Sequence, residues 1–263
     1  MRSIWPGVAM IFLLPILAAA QQPAPPANQQ EQMLNFALSS WEAAMTKLDR
    51  FEVLCRRTTT DKTFGSIETY EGSAKFLKSG QGQPSRALLE IVNKKDPGKY
   101  EKFLYTGTFL YEWVPATKVL RIHDVPQPKA GQPAIEDNIV ALLFGMKADD
   151  AKRRYQMSWR PDTENNNKYY HYLQILPRTP ADKADFTEAR LVLTTSDFLP
   201  RQVWYHQPNG NEVTWDFEKL KKNQEATIAP QTFAPPQQLP KDWRVERMQP
   251  AGPAPGTAVA PKK

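Results

Sequence analysis

Cysteine is nearly absent. Cys55 is the only one in 263 residues, which excludes a disulfide within the chain and any zinc site built from a cysteine cluster. Stability must then come from core burial. Histidine is almost as scarce, with His123, His171 and His206 alone. Each falls in a different expected strand, none has acidic or histidine partners at metal-ligand spacing, and the neighbours His123 and Asp124 would point to opposite faces of a strand. Ordinary surface or core roles are expected for all three. The chain also lacks a G-x-S-x-G elbow, an H-E-x-x-H helix and a phosphate-cradling glycine-rich loop. Carboxylate neighbours such as Asp149-Asp150, and Asp182 with Asp185, suit helix N-termini better than acid/base work, and 28 acidic residues make chance pairs common. No catalytic residue, metal or cofactor is therefore assigned, and the chain is read as non-enzymatic.

Long apolar runs are missing too, with one short exception at the start. Arg2 provides a positive n-region, Val8 to Leu17 an apolar stretch interrupted by Pro15, and Ala18-Ala19-Ala20 a small-residue cleavage site. The stretch is well below the roughly 20 residues that span a bilayer, so residues 1–20 read as a signal peptide cleaved near Ala20. A short membrane anchor is the alternative. No cysteine follows the small residues, so the lipid-attachment site of a lipoprotein leader is absent. The mature chain is expected to be untethered, in a periplasm or outside the cell, with no transmembrane segment.

Positive charge is in modest excess, +6 over the whole chain. The basic residues are scattered, with short groups at Lys152-Arg153-Arg154 and Lys219-Leu220-Lys221-Lys222, and form no focused stripe. That pattern, together with export, argues against a nucleic-acid partner. A solvated surface is the expected role of these charges.

Two segments are too rich in proline, glutamine, alanine or glycine to bury a core: residues 21–30, a linker, and 249–263, a tail. Between them, residues 31–248 form the folded part. It opens with a helix, because Leu34, Leu38, Trp41, Met45 and Leu48 recur at spacings of four and three on one stripe. From Asp49 the period drops to two. Phe51, Val53 and Cys55 begin the first of eleven expected strands. The others are Ser66–Lys78, Arg86–Asn93, Tyr100–Tyr105, Thr108–Val114, Lys118–His123, Tyr155–Arg160, Tyr169–Leu176, Phe186–Thr194, Arg201–Gln207 and Glu212–Lys221. Turn residues such as Asp96-Pro97-Gly98 and Pro208-Asn209-Gly210-Asn211 join several of them closely, which implies antiparallel neighbours. In mid-chain, Ile135, Ile139, Leu142, Leu143 and Met146 follow helical spacing, residues 147–154 read as a second short helix, and Thr179 to Asp185 as a helical turn. So apolar a mid-chain helix must be buried by the sheet, as a plug or lid.

Along Thr108–Val114, Phe109, Tyr111 and Trp113 share one face, and Leu110 and Val114, with Glu112, share the other; along Arg86–Val92, Leu88 and Val92 oppose Ala87, Leu89 and Ile91. Both faces are mostly apolar, so these strands are covered on both sides. A sandwich with an ordinary core fits that pattern, and so does a curved sheet whose concave face is roofed by helices.

Several short segments resemble, in order, those of the LolA/LolB superfamily of periplasmic lipoprotein carriers, which includes the RseB/MucB regulators. They are Tyr105-Thr106-Gly107-Thr108-Phe109-Leu110-Tyr111-Glu112-Trp113-Val114-Pro115, Leu173-Gln174-Ile175-Leu176-Pro177-Arg178, Phe198-Leu199-Pro200-Arg201, Asn209-Gly210 and Thr232-Phe233-Ala234-Pro235-Pro236. The element order, a leading helix, six strands, a helical interruption and five more strands, is similar as well. The resemblance spans about Asn35 to Arg247. It implies a mainly β (α+β) fold: a half-open antiparallel barrel of about eleven strands, with helices covering the concave face and enclosing an apolar cavity for acyl chains. One departure is visible. Where the family has a basic residue, a proline and an aromatic three positions later, this chain has Gln83, Pro84 and Ala87, with Arg86 as the available base for lid closure.

On that basis Trp41, Leu88, Phe109, Tyr111, Trp113, Ile139 and Leu143 are the candidate cavity lining, with the inward face of residues 108–114 left open. Acyl chains of lipid or lipoprotein are the expected ligands, an envelope protein is a further candidate partner, and the chain is expected to be a monomer. The competing reading is an envelope interaction or stress-sensing module with a solid core.

Overall fold

The computed structural model describes residues 27–80, 84–125, 147–160 and 168–248. The leading helix, α1, spans Ala27–Thr46. It thus starts earlier than expected, and the last four residues of the expected linker are helical. Leu34, Ala37, Leu38 and Trp41 are buried along one side of α1, as the apolar stripe requires.

The strands are β1 (Arg50–Asp61), β2 (Ser66–Leu77), β3 (Arg86–Asn93), β4 (Tyr100–Tyr105), β5 (Phe109–Val114), β6 (Val119–Asp124), β7 (Tyr155–Trp159), β8 (Tyr170–Pro177), β9 (Glu188–Thr194), β10 (Pro200–His206), β11 (Glu212–Lys222) and β12 (Arg244–Met248). Two short helices, α2 (Ala148–Arg154) and α3 (Pro180–Asp185), precede β7 and follow β8. All twelve strands form one open sheet in the order β12-β6-β5-β4-β3-β2-β1-β11-β10-β9-β8-β7. The result is a mainly β, half-open barrel. Every pairing is antiparallel except that of β12 with β6; all the antiparallel ones join sequential strands apart from β1 with β11, which brings the two ends of the meander together. The long excursion after β11 is what allows that parallel addition.

The eleven expected strands are present, and β12 is a twelfth. Three of its five residues, Arg244, Glu246 and Arg247, are charged, and Val245 and Met248 are exposed and three positions apart, so no hydrophobic alternation marks it. It is held at the sheet edge by backbone pairing, and its charges suit an edge strand. The expected lid helix at Ile135–Met146 lies outside the described residues.

Local chemistry fixes the turns. Asp61 Oδ1 accepts from the backbone N–H groups of Thr63 and Phe64 at 2.8 and 3.0 Å, closing the β1–β2 hairpin. The buried Asn93 does the same for Lys95 and Asp96 at 2.9 and 3.0 Å. Gly72 sits where β2 and β3 approach closely; a Cβ there would fall 1.9 Å from the carbonyl oxygen of Glu90.

Because directly paired residues share a face, the register sorts the sheet. On the inner face, covered by α1, the sequence Val203, Trp215, Arg57, Tyr70 and Asn93 runs across β10, β11, β1, β2 and β3. On the outer face, Leu88, Leu104, Tyr111 and Ile122 run across β3 to β6.

Candidate functional site

The inner face divides into two halves. Over β7 to β11 it is closed: Leu38, Trp41, Tyr155, Leu173, Ile175, Leu191, Leu193 and Val203 are all almost wholly buried in one cluster with α1 and α2. A second cluster continues it over β1 and β2, where Leu48, Phe51, Val53, Cys55 and Ala74 pack together. A small apolar cleft lies at the C-terminal end of α1, lined by Met45, Leu48, Phe51, Val53, Leu199, Pro200, Phe217 and Leu220, with an interior volume of about 40 Å³. That admits one or two groups the size of water. Burial pushes the Cys55 thiol up to about 12, partly offset by a hydrogen bond with the backbone of Ala74, so the group stays a neutral core residue.

The other half, over β2 to β6, is a trough. Two rows of paired residues cross it: Ala74, Leu89, Phe103, Glu112 and Arg121, and beside them Phe76, Ala87, Tyr105, Leu110 and His123. Phe76, Ala87, Leu89, Phe103 and Leu110 are only half-buried among the described residues. They form a continuous apolar floor, bordered by α1 and the β1 cluster on one side. Tyr105 is buried, donates to the carbonyl of Gly107 at 3.2 Å, and is pushed up in pKa by that burial.

Charge is confined to the edges of this floor. At one end Arg57 of β1 reaches over β2 and β3 to Glu101 of β4 and makes a two-pronged bond, Nη1 to Oε2 at 2.7 Å and Nη2 to Oε1 at 2.6 Å. The guanidinium lies 4.6 Å from the centre of the Tyr70 ring and 5.5 Å from that of Trp215. Next to it, Trp215 hydrogen-bonds Tyr205, whose pKa is raised by burial. On the far side His123 Nε2 is 3.1 Å from Glu112, and Arg121 lies 3.7 Å from Glu112 and 4.0 Å from Glu246.

The structure divides the residues that the sequence proposed as lining. Trp41 lies in the closed half, fully buried. Leu88, Phe109, Tyr111 and Trp113 lie on the outer face. There they pack with Leu104 and Leu120 beneath a strap of chain from Ala226 to Leu239, which brings in Ile228, Phe233 and Leu239. Arg86 belongs to the same outer site, with its guanidinium 5.5 Å from the centre of the Phe233 ring. Ile139 and Leu143 lie outside the described residues. The division has a physical cause: alternation separates two faces without saying which is inside, and the strap covers an apolar outer face of β3 to β6. The face of residues 108–114 that meets the trough is that of Leu110 and Glu112.

The residues that build the trough but were not singled out are Phe76, Ala87, Leu89, Phe103 and Leu110, with Arg57 and Glu101. Leu89 already stood apart from Leu88 in the alternation. Nothing local ties Arg57 to Glu101, which are 44 positions apart.

The three histidines are apart. His123 pairs with Glu112, His206 lies 3.7 Å from Glu212, and His171 is stacked on Phe198. Among the described residues no three potential metal ligands come together, and no helix is long and apolar enough to cross a membrane.

No family model matches the chain and no curated protein matches it. Solved structures do. An uncharacterized conserved protein from Thermus thermophilus is 10% identical, with 83% of this chain and 99% of that one covered and a TM-score of 0.46. The chain is similar in the same way to MucB in the MucA/MucB complex of Pseudomonas aeruginosa, at 12% identity and a TM-score of 0.43; 81% of this chain is covered but only 63% of that one. It is similar, too, to a LolA superfamily protein from Nitrosomonas europaea, at 11% identity and a TM-score of 0.33, with 77% and 97% covered.

Proposed function

We propose that the chain is an exported, non-enzymatic, carrier-like protein that holds an acyl chain of a lipid or lipoprotein in the trough over β2 to β6. The observation that carries this reading is the half-buried apolar floor of Phe76, Ala87, Leu89, Phe103 and Leu110 on the inner face, beyond the cover of α1. A floor of this kind gains ~0.8 kcal/mol for each methylene it removes from water, so an acyl chain can be held without a specific polar contact. Export with cleavage near Ala20, a monomeric state and an envelope partner belong to the same proposal.

The closed half favours a second reading, a module with a solid core that binds other proteins, because Leu38, Trp41, Leu173, Leu191, Leu193 and Val203 are almost wholly buried against one another. The two readings part on one measurement. The chain from Gln21 onward, purified without detergent, should bind a fluorescent apolar probe at a stoichiometry near one, lose it to added fatty acid, and carry lipid into native mass spectrometry. A protein that takes up neither probe nor lipid would leave the solid-core module as the better account.

A further inference from the structure

If the trough holds an acyl chain, as proposed above, its polar end has a place as well. We infer that Arg57 is the anchor for an oxyanion head group, a carboxylate or phosphate joined to the chain, and that Glu101 occupies that anchor when the trough is empty.

Three observations lead there. The Arg57 side chain is 19% exposed and fixed between the Tyr70 and Trp215 rings, whereas that of Glu101 is 32% exposed and stands at the edge of the same surface. The cation is therefore the fixed partner and the carboxylate the movable one. Second, the fork that Glu101 makes with Nη1 and Nη2 is the geometry in which a guanidinium grips any carboxylate or phosphate. Arg57 Nε is buried with no acceptor among the described residues, so the donor set is larger than Glu101 can satisfy. Third, an ion pair that keeps 19% and 32% of its side-chain surface exposed contributes little to stability. An interior that served only to bury hydrocarbon would gain nothing from one. Here the pair lies one residue pair beyond the apolar floor, since Glu101 faces Ile91 and Phe103 faces Leu89. An acyl chain lying on Leu89 and Phe103 brings its head to Arg57. The incoming oxyanion then takes over the fork, and Glu101 turns to solvent.

The test is displacement of a fluorescent apolar probe by dodecanoic acid, dodecyl phosphate and dodecanol. On the unaltered protein the two anionic compounds should compete at least ten-fold better than the alcohol; the better of the two names the head group. Glu101→Gln, which removes the internal competitor, should tighten both anions several-fold and leave dodecanol unchanged. Arg57→Gln should erase the preference, and Arg57→Lys, which keeps the charge but loses the fork, should keep only part of it. Equal competition by acid and alcohol on the unaltered protein would overturn the inference while leaving the acyl-binding reading intact. So would a loss of anion affinity in Glu101→Gln, the mark of a purely structural strut. If none of the three compounds displaces the probe, the acyl-binding reading fails and this one falls with it. The Glu101→Gln arm stands even if Arg57→Gln does not fold.

Discussion

The two halves of the inner face are made of the same kind of strand and do opposite things. Over β7 to β11 the side chains close on α1, and Trp41 is 0% exposed; over β2 to β6 Phe76, Ala87, Leu89, Phe103 and Leu110 stay half-buried beside the buried Ala74, Ile91 and Tyr105. The difference lies less in composition than in what covers the strands. Among the described residues α1 packs against β7 and its neighbours and makes core there, whereas Phe76, Ala87, Leu89, Phe103 and Leu110 keep part of their surface, and that apolar surface needs another explanation. Ligand binding is that explanation in the proposal above.

The comparison is sharpest under truncation of one aromatic ring in each half. Trp41→Ala should cost about 3–5 kcal/mol, the usual loss for a fully buried ring, read as a fall in the denaturant midpoint. Phe103→Ala removes a ring that is already partly in water and should cost about 1–2 kcal/mol. Probe affinity should behave the other way round: weakened by Phe103→Ala and, where the protein still folds, little changed by Trp41→Ala. Equal stability losses would mean that the trough is core, and the distinction between the halves would disappear.

The outer face of β3 to β6 offers a second contrast, since it is apolar but covered by its own chain. The strap from Ala226 to Leu239 is rich in proline and makes mainly local backbone bonds, such as Thr232 N to Ala229 O at 3.0 Å and Ala234 N to Gln231 O at 3.0 Å. Side chains, Phe233 above all at 3% exposure, hold it down. Phe233→Ala should therefore cost about 2–3 kcal/mol and raise amide exchange in β12 and β6 while leaving β8 and β9 protected. Unchanged exchange in β12 would show that its pairing with β6 stands without the strap.

How much of this could be read from residues in order follows from the same physics. Hairpin strands announce themselves through local alternation and turn residues, so all eleven before the strap were legible. β12 was not, because a charged edge strand is specified by the partner it pairs with. The α1 stripe was legible from five residues at helical spacing. Which face of β3 and β5 lies inside was not, because Leu88 and Leu89 are equally apolar, and the answer depends on Phe233, more than a hundred residues further on. The Arg57–Glu101 pair is hidden for the same reason: β2 and β3 lie between its partners.

The closed half also contains a buried charge. Asp182, 3% exposed, accepts from Arg154 at 2.7 and 2.9 Å and from Thr179 at 2.7 Å, tying α2 to α3. Burial alone would raise its pKa, yet the bonds from Arg154 and Thr179 and the Arg154 charge outweigh it and hold the carboxyl below its ordinary value. With a depressed folded pKa, the stabilisation is present above the unfolded value near 3.9 and is lost as pH falls through the folded one. Asp182→Asn should cost about 2 kcal/mol at neutral pH, allowing for the quarter of the Arg154 side chain that remains in water. It should also flatten acid unfolding below about pH 4. An acid limb identical to that of the unaltered protein would assign the transition to other carboxylates, Asp197 being the next candidate because its pKa is lowered despite burial, by bonds from Thr194 and Lys222.

The smallest effect separates the halves by pH instead of packing. His171, paired with Leu193 on the inner face of β8, is stacked on Phe198 with ring centres 5.3 Å apart and meets the edge of Phe36 at 6.3 Å. Burial lowers its pKa, so the folded protein holds the ring neutral. Below the unfolded value near 6.5 the unfolded chain takes up the proton more readily, and stability falls from there until the pH passes the folded pKa. Between pH 7.5 and pH 5.5 the urea midpoint should drop slightly, and His171→Phe, which keeps the aromatic stack but cannot be protonated, should remove that drop. If His171→Phe leaves the drop in place, the closed half is not the part of the fold that feels mild acid.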